Sequence, residues 1–323
     1  MASDECGGGF VPRTPPPSLM HPLALIRSLR PHQWVKNIFV LAALVFALGE
    51  VGVDAASQVD RIERVLVAAA AFCLGASAIY LVNDVMDVES DRLHPEKCKR
   101  PIAAGEVSVP QALVLSAGCV AGALWLASAS TPVGGDNVMA VVGIYMVSNL
   151  LYSLKLKQIA IVDAFLIALG FMLRVTAGAY AAAAPISEWL LLSTLFLALF
   201  LAFCKRRAEI DLLGEEAASH RKNLGQYTPE FLDQATGVLA ACAIITYSMY
   251  TVDEETAAKF GEDNHLVWTV PFVVFGLFRY LLMVTRKEAG GSPTKVLLGG
   301  DLIFAVNGVL WMAVVASCLF AIG

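Results

Sequence analysis

Nine apolar runs, each about as long as one membrane-spanning helix, constrain the fold more than any other feature of the chain. They cover roughly residues 36–53, 63–85, 109–129, 137–154, 158–181, 187–204, 232–252, 265–284 and 299–321. A helix needs about 20 consecutive apolar residues to cross the hydrocarbon core of a bilayer, and the runs are close to that length. The sequence therefore predicts an all-α polytopic membrane protein with nine transmembrane helices.

The composition supports the same class of protein. Hydrophobic residues make up 57% of the 323 residues and charged residues 16%, and the mean hydropathy is +0.67, values far from those of a soluble domain. Residues 1–20 are rich in Gly and Pro and lack the basic-then-apolar order of a signal peptide, which predicts a disordered tail before a membrane domain of residues 21–323. The seven cysteines are scattered singly, which favours small buried side chains over disulfides or a zinc site.

The distribution of Lys and Arg predicts the orientation of the chain. Nineteen of the 23 basic residues fall on the N-terminal segment and on every second connection between the runs. Basic residues collect on the cytoplasmic side of membrane proteins, so the N-terminus is predicted to be cytoplasmic. Two of these cytoplasmic connections, residues 83–108 and 204–231, carry the most charge and are predicted to hold the active site.

The first of these connections begins with a set of oxygen ligands, in the stretch YLVNDVMDVESDRLHPEKCKRPIAAG. If the preceding helix continues, Asp84, Asp87 and Asp91 share one face, and Asn83 lies beside Asp87. Carboxylates this close repel one another unless a cation binds, and oxygen ligands without His or Cys favour Mg²⁺. These four residues are therefore predicted metal ligands, and the three aspartates are the candidate catalytic residues.

Basic residues later in the same connection indicate a phosphate ligand. Lys97 and Arg100 offer point-charge and bidentate contacts to phosphate oxygens, whereas the alternative is a solvated loop in which acidic and basic residues balance. Charges also occur inside a span, where Asp163 and Arg174 share a helix face. Because a charge is costly in the bilayer, both are predicted to face the bundle interior, Asp163 lining a polar pocket and Arg174 beside a structural partner.

The stretch NDVMDVESD, followed by KCKRPIAAG, resembles the first aspartate-rich motif of the UbiA superfamily of intramembrane prenyltransferases. The resemblance runs from about residue 21 onward and implies a UbiA-type bundle in which the aspartates hold Mg²⁺ against the diphosphate of a prenyl donor. The chain departs from the superfamily at the second aspartate-rich motif. There the connection 204–231 carries KRRAEID, with Lys205, Arg206 and Glu209.

Two further basic stretches narrow the resemblance. RPHQWVKN contains Lys36, and YSLKLK contains Tyr152, Lys155 and Lys157. Together with KRRAE and YTPEFL they resemble the decaprenyl-phosphate phosphoribosyltransferase branch of the superfamily, which serves cell-wall arabinan synthesis in the plasma membrane. This resemblance implies phosphoribosyl pyrophosphate as donor and decaprenyl phosphate as acceptor, with the active site on the cytoplasmic side.

The charges agree with this donor. Phosphoribosyl pyrophosphate carries anions at both ends and the acceptor adds a third phosphate, so Lys and Arg suit the second motif better than carboxylates do. The predicted substrate-binding residues are Lys36, Lys97, Arg100, Tyr152, Lys155, Lys157, Asp163, Lys205, Arg206 and Glu209. Two alternatives stay open: a prenyltransferase with an aromatic acceptor, and a non-enzymatic transporter or lipid-binding protein. No pattern predicts nucleic-acid binding, and a homo-oligomer is left open.

Overall fold

The computed structural model describes residues 22–50, 52–94, 96–213, 223–260, 265–285 and 301–320. The described residues form helices, turns and connections with no strand among them, which confirms the predicted all-α class. The predicted tail of residues 1–20 lies outside this description, as do residues 214–222 of the second charged connection.

Twelve α-helices make up most of the described chain. They are α1 Pro22–Ser28, α2 Ile38–Leu48, α3 Ala55–Met86, α4 Val88–Arg92, α5 Val109–Ala129, α6 Val138–Leu154, α7 Val162–Ala181, α8 Glu188–Leu213, α9 Pro229–Val252, α10 Glu254–Phe260, α11 Val270–Thr285 and α12 Leu302–Phe320. Short 3-10 helices occupy Pro31–Asn37, Lys97–Lys99, Leu156–Gln158, Leu224–Gln226 and Leu266–Thr269.

The helices match the predicted apolar runs one by one, with a difference at α6. Within the described residues, eight helical stretches are long and apolar enough to cross a membrane, with Pro22–Leu48 counted as one stretch. The helix at the fourth run, α6, has only 17 residues and is shorter than the others. The chain is thus a multi-pass membrane protein, and the count of nine spans stays a prediction.

Helix boundaries differ from the predicted runs at α2, α3, α7 and α8, and at α3 and α7 the reason is local. Helix α3 begins at Ala55, well before residue 63, because the Asp54 side chain accepts the N–H of Ser57 at 3.0 Å and caps the helix there. Helix α7 begins only at Val162, because the residues before it form the 3-10 helix Leu156–Gln158 and a turn. The late start of α7 matters for function, because residues of the candidate active site lie at that turn.

The helices pack mostly against their neighbours along the chain. Helix α3 packs against α5, α7 against α8, and α8 against α9, whereas α2 lies against the more distant α7. At the α2–α7 contact a Cβ atom added to Gly178 would lie 2.0 Å from the carbonyl oxygen of Val40. The two backbones therefore touch at a point where only glycine fits.

One end of the bundle gathers the predicted functional residues, and we call it the charged end. Helices α3, α6 and α8 finish there, and α5, α7 and α9 begin there. Ion pairs tie these termini together, such as Lys157 Nζ to Asp87 Oδ2 at 3.8 Å. The opposite end holds a mainly apolar cavity, lined by α2, α7, α9 and α10.

Candidate active site

An aspartate cluster lies where α3 gives way to α4. Arg100 Nη1 donates to Asp84 Oδ1 at 3.1 Å and to Asp91 Oδ2 at 2.5 Å. Arg30 also donates to Asp84. The two carboxylates are almost fully buried, whereas the Arg100 side chain is 28% exposed. We call Asp84, Asp91, Arg30 and Arg100 the aspartate cluster.

The prediction that the helix carries its aspartates on one face is confirmed for two of the three. Helix α3 ends at Met86, yet the N–H of Asp87 bonds to the carbonyl of Asn83 at 2.9 Å and the N–H of Asp91 to that of Asp87 at 2.8 Å. These bonds keep the helical register across the junction, which is why Asp84 and Asp91 still meet at one arginine. Asp87 points elsewhere and faces Lys157.

Arg30 reaches the cluster from an unusual backbone position. It has φ 53° and ψ 58°, the left-handed conformation, directly before the 3-10 helix Pro31–Asn37. A following proline disfavours the right-handed helical conformation at this position. The guanidinium of Arg30 lies over the ring of Tyr80, 5.1 Å from its centroid, and binds Asp84 from there. A non-glycine residue in this conformation often marks a functional position.

The donor set of the cluster suits Mg²⁺ held partly by a substrate, and it does not form a closed cage. The buried Oδ1 of Asn83 has no hydrogen-bond partner among the described residues. Across the same residues, no group of three or more His, Cys, Asp or Glu side chains is arranged to hold a metal ion. Mg²⁺ usually takes one or two protein carboxylates, waters and substrate phosphates, and Asn83, Asp84 and Asp91 fit that pattern.

The connection after α4 turns back through His94. Its Nδ1 accepts the backbone N–H of Glu96 at 3.1 Å and that of Lys97 at 3.3 Å. His94 therefore shapes the loop, while the side chain of Lys97 is exposed. The loop returns to the helix end at Arg100, so its basic residues divide between two solvated lysines, Lys97 and Lys99, and the arginine that joins the two aspartates.

A second cluster lies at the start of α7. Asp163 is 0% exposed and accepts three hydrogen bonds, from Arg206 Nε at 3.1 Å, Asn223 Nδ2 at 2.7 Å and the Tyr227 hydroxyl at 3.1 Å. Arg206 itself is 1% exposed. We call Asp163, Arg206, Asn223 and Tyr227 the Asp163 cluster. These donors enclose the Asp163 carboxylate, which favours a supporting place for it, and its predicted place in the lining of a polar pocket stays a prediction.

The Asp163 cluster continues toward solvent through the last turns of α8. Arg206 also binds Glu209, whose Oε1 lies 3.7 Å from Lys205 Nζ. The phenol of Tyr152 acts electrostatically on Arg206 and so lies nearby. Lys155, at the end of α6, is exposed. Of the cations in this group, Arg206 is enclosed by protein, whereas Lys155 and Lys205 are accessible to solvent.

Lys36 lies between the two clusters. It is half-buried in the 3-10 helix Pro31–Asn37, and the positive charges of Lys205, Arg174 and Arg30 act on it. Like charges held together at the edge of an apolar interior favour an anion. The structure thus brings Lys36 close to Arg30 of the aspartate cluster and to Lys205 beside the Asp163 cluster.

Arg174 lies deeper in the bundle and has structural partners, as predicted. Its guanidinium donates to Asn37 Oδ1, to the Gly170 carbonyl and to the Tyr145 hydroxyl, each at 2.8 Å. The rings of Phe72, Tyr145 and Phe171 surround it at 4.6–5.7 Å. Aromatic faces and neutral acceptors stabilise a cation inside the membrane, and here they tie the 3-10 helix Pro31–Asn37, α3, α6 and α7 together.

Sequence reasoning missed three residues of the two clusters. Arg30 belongs to the LRPHQWVKN stretch, of which only Lys36 was singled out. Asn223 and Tyr227 bind Asp163 across 60 and 64 residues of chain, a distance that no local pattern reveals. The YTPEFL stretch, which begins with Tyr227, is the one available signal.

Comparisons with known proteins agree with the geometry. The sequence model of the UbiA prenyltransferase family matches residues 37–297. The decaprenyl-phosphate phosphoribosyltransferase of Corynebacterium glutamicum is 36% identical over 308 residues, which cover 95% of this chain and 90% of that protein. The protein of the same name from Mycolicibacterium smegmatis is 33% identical over 316 residues, which cover 95% of each chain. A solved structure of a UbiA homologue from Archaeoglobus fulgidus, bound to GPP and Mg²⁺, has a TM-score of 0.65 at 18% identity and covers 91% of this chain and 99% of its own.

Proposed function

The chain belongs to the UbiA prenyltransferase family, and from that premise we propose that it transfers a 5-phosphoribosyl group from phosphoribosyl pyrophosphate to decaprenyl phosphate. The product is decaprenylphosphoryl-5-phosphoribose, a precursor of cell-wall arabinan. The enzyme is a transferase that acts on a polyprenyl phosphate. Two relatives named for this activity, each aligned over nearly the whole chain, support the assignment.

The observation that carries the proposal is the cationic end of α8. Lys205, with the buried Arg206 next to it in sequence, stands where a prenyl-diphosphate enzyme of the superfamily is expected to have a second aspartate-rich motif. Lys157 and Lys36 add charge beside them. A donor with phosphates at both ends, together with a phosphorylated acceptor, needs more cations than a single prenyl diphosphate does.

Mg²⁺ belongs at the aspartate cluster in this proposal, held by Asn83, Asp84 and Asp91 with Asp87 beside them. When bound, the ion would offset the charge of the pyrophosphate leaving group. Arg100 fixes Asp84 and Asp91 relative to each other in advance, since one guanidinium nitrogen bonds to both. These carboxylates therefore need no rearrangement of α3 and α4 to receive a ligand.

The reaction needs no nucleophile from the protein. An oxygen of the acceptor phosphate, already anionic, forms a bond to C1 of the ribose. The bond from C1 to the pyrophosphate oxygen breaks, and the pyrophosphate leaves with the electron pair, so C1 inverts. The task of the chain is to bind and orient the phosphates, for which Lys36, Lys157 and Lys205 are placed around the two clusters.

We place the charged end on the cytoplasmic side of the plasma membrane. The excess of Lys and Arg on the connections at this end supports that orientation. The connections 83–108 and 204–231 then form the active-site loops. A reporter fused to the N-terminus is expected to be active only in the cytoplasm, and a periplasm-active reporter at that position would reverse the orientation.

One assay tests the function against its alternatives. Purified full-length protein in nanodiscs receives labelled phosphoribosyl pyrophosphate, decaprenyl phosphate and Mg²⁺, and a parallel reaction receives a labelled prenyl diphosphate with 4-hydroxybenzoate. Label should enter lipid in the first reaction and should be lost with Asp84→Ala. Asp136→Ala, an exposed acid at the opposite end, is the matched control and should stay active. Product only in the second reaction would establish an aromatic prenyltransferase, and product in neither would favour a transporter.

A further inference from the structure

The connection between α6 and α7 is fastened to the segment that precedes α9. Gln226 Nε2 donates to the Gln158 carbonyl at 3.2 Å, and Gln226 Oε1 accepts the N–H of Ala160 at 3.4 Å. The Tyr227 hydroxyl accepts the N–H of Ile161 at 2.5 Å. Two consecutive residues thus hold three backbone groups, those of Gln158, Ala160 and Ile161, more than 60 positions away, and neither was a predicted site residue.

The backbone held in this way is strained. Ile161 has φ 69° and ψ −50°, and the N–H of Val162 bonds to the Ala160 carbonyl at 2.8 Å. This is a γ-turn of the rare, strained type, and its central residue is β-branched, which makes a positive φ still less favourable. Such a conformation persists only where the surroundings determine it. The N–H of Ile161 bonds to Tyr227, so the tyrosine hydroxyl is the group that fixes the turn.

Tyr227 is itself held firmly. It is 7% exposed, and its ring lies edge-on to Phe203 at 5.9 Å and stacks on Phe231 at 6.0 Å. Burial raises the pKa of Tyr227 to about 12, so the hydroxyl keeps its proton and donates it to Asp163 Oδ1. One oxygen atom therefore accepts from the strained turn and donates to the Asp163 cluster.

Cations of the site lie on both sides of this oxygen. On one side, the 3-10 helix Leu156–Gln158 carries Lys157, which faces Asp87. On the other side, Asp163 holds Arg206, and Arg206 holds Glu209 beside Lys205. Without the hydroxyl, Asp163 keeps its bonds from Arg206 and Asn223, whereas the Ile161 turn loses its bond to Tyr227. Lys157 would therefore move relative to Arg206 and Lys205.

We propose that Tyr227 is a positioning residue of the donor site: by holding the Ile161 turn against the Asp163 cluster, it sets the spacing between Lys157 and Lys205. The proposal rests on the proposed function. Tyr227 acts through backbone and other side chains and does not touch the substrate. Cations that bind the donor phosphates equally in the ground state and the transition state affect KM more than kcat.

Tyr227→Phe keeps the ring packing and removes both hydrogen bonds. The KM for phosphoribosyl pyrophosphate should rise about tenfold, while kcat stays within about threefold and the KM for decaprenyl phosphate within about twofold. Tyr247→Phe is the matched control, because it removes a buried hydroxyl that bonds to Thr269 at 2.7 Å outside the charged end, and it should leave the donor KM unchanged. A donor KM within twofold of wild type in Tyr227→Phe, or a loss confined to kcat, overturns the proposal.

A second substitution separates positioning from a general loss of structure. Glycine adopts a positive φ without steric cost, so Ile161→Gly lets the turn form without the hydroxyl. Ile161→Gly in the Tyr227→Phe background should bring the donor KM back to within about threefold of wild type, and a double variant that stays at the single-variant value overturns the proposal.

If Tyr227→Phe does not fold, Gln226→Ala serves as the test, because Gln226 is exposed and bonds to the same turn. Gln226→Ala should also raise the donor KM, and an unchanged donor KM overturns the proposal. Turnover by the wild-type protein tests the proposed function. The ratio of the donor KM of a variant to that of the wild-type protein tests the role of Tyr227.

Discussion

The aspartate cluster and the Asp163 cluster lie at the same end of the bundle, and each pairs buried aspartate with arginine, but the arginines differ in their exposure to solvent. Asp84, Asp91 and Asp163 are all buried, so burial of the carboxylate does not separate the two. The arginines do: the Arg100 side chain is 28% exposed, and that of Arg206 is 1% exposed. A ligand can approach the first ion pair and cannot approach the second.

This difference separates a site that binds from a scaffold that supports it. A partly exposed arginine exchanges partners with phosphate at modest cost, because water compensates while contacts change. A buried arginine and carboxylate stay paired, because either one left alone in the protein interior would be an uncompensated buried charge. We therefore expect loss of Asp84 or Asp91 to act on turnover, and loss of the buried Asp163–Arg206 ion pair to act on stability.

Asp84→Ala should have the largest effect. Asp84 holds Arg30 and Arg100 and is a proposed Mg²⁺ ligand. Turnover of phosphoribosyl pyrophosphate should fall by about 1000-fold, as when a main group that stabilises the leaving charge is lost. Steady-state assays with the Asp136→Ala control measure this effect, and near-normal activity in Asp84→Ala would require the metal site to be placed elsewhere.

Asp163→Asn comes next, and its effect should appear in stability. The substitution keeps the side-chain shape but leaves the buried Arg206 with Glu209 as its one remaining carboxylate partner among the described residues, so we expect a loss of about 3 kcal/mol in the free energy of unfolding. SDS-induced unfolding in mixed micelles measures it. Glu106→Gln, which breaks the exposed pair with Arg27, is the matched control and should cost less than about 1 kcal/mol. A fully stable Asp163→Asn that no longer binds donor would restore Asp163 as a substrate ligand.

Lys205→Ala should have a smaller effect, on donor binding alone. Lys205 is 44% exposed in its side chain and stands at the outer end of the chain of ion pairs from Asp163. Losing one solvated contact to a phosphate should lower kcat/KM for phosphoribosyl pyrophosphate about tenfold, with stability unchanged. Lys99→Ala, also exposed at the charged end, is the control. Equal effects of the two variants would mean that Lys205 acts only through the general positive field.

The sequence predicts the aspartate cluster better than the Asp163 cluster because the two are built over different distances. Asp84 and Asp91 are seven residues apart, and helical periodicity alone brings them to one side. Apolar length likewise predicts the position of each span, since burial in lipid requires it. The partners of Asp163 come from α8 and from the segment before α9, and which buried donors converge on one carboxylate depends on how helices pack.

The backbone conformations of Arg30 and Ile161 also could not be predicted from the sequence. Neither residue type favours a positive φ, so local preference points away from the conformation that each adopts. Arg30 is held by Asp84 and Tyr80, and Ile161 by Tyr227. Tertiary contacts overrule local preference at both places, and both places adjoin the proposed donor site.

Removal of Mg²⁺ should change stability only slightly, although it abolishes turnover. The arginines already neutralise Asp84 and Asp91, so the folded state does not depend on the ion as a closed metal cage would. At Mg²⁺ about tenfold above its dissociation constant, binding adds about 1.4 kcal/mol, which corresponds to a rise of roughly 3–5 °C in the unfolding temperature. The rise should vanish in Asp84→Ala and persist in Asp163→Asn, as measured by thermal unfolding with and without EDTA. A fall of more than about 10 °C on chelation would instead make the aspartate cluster a structural metal site, and would erase the difference between the two clusters.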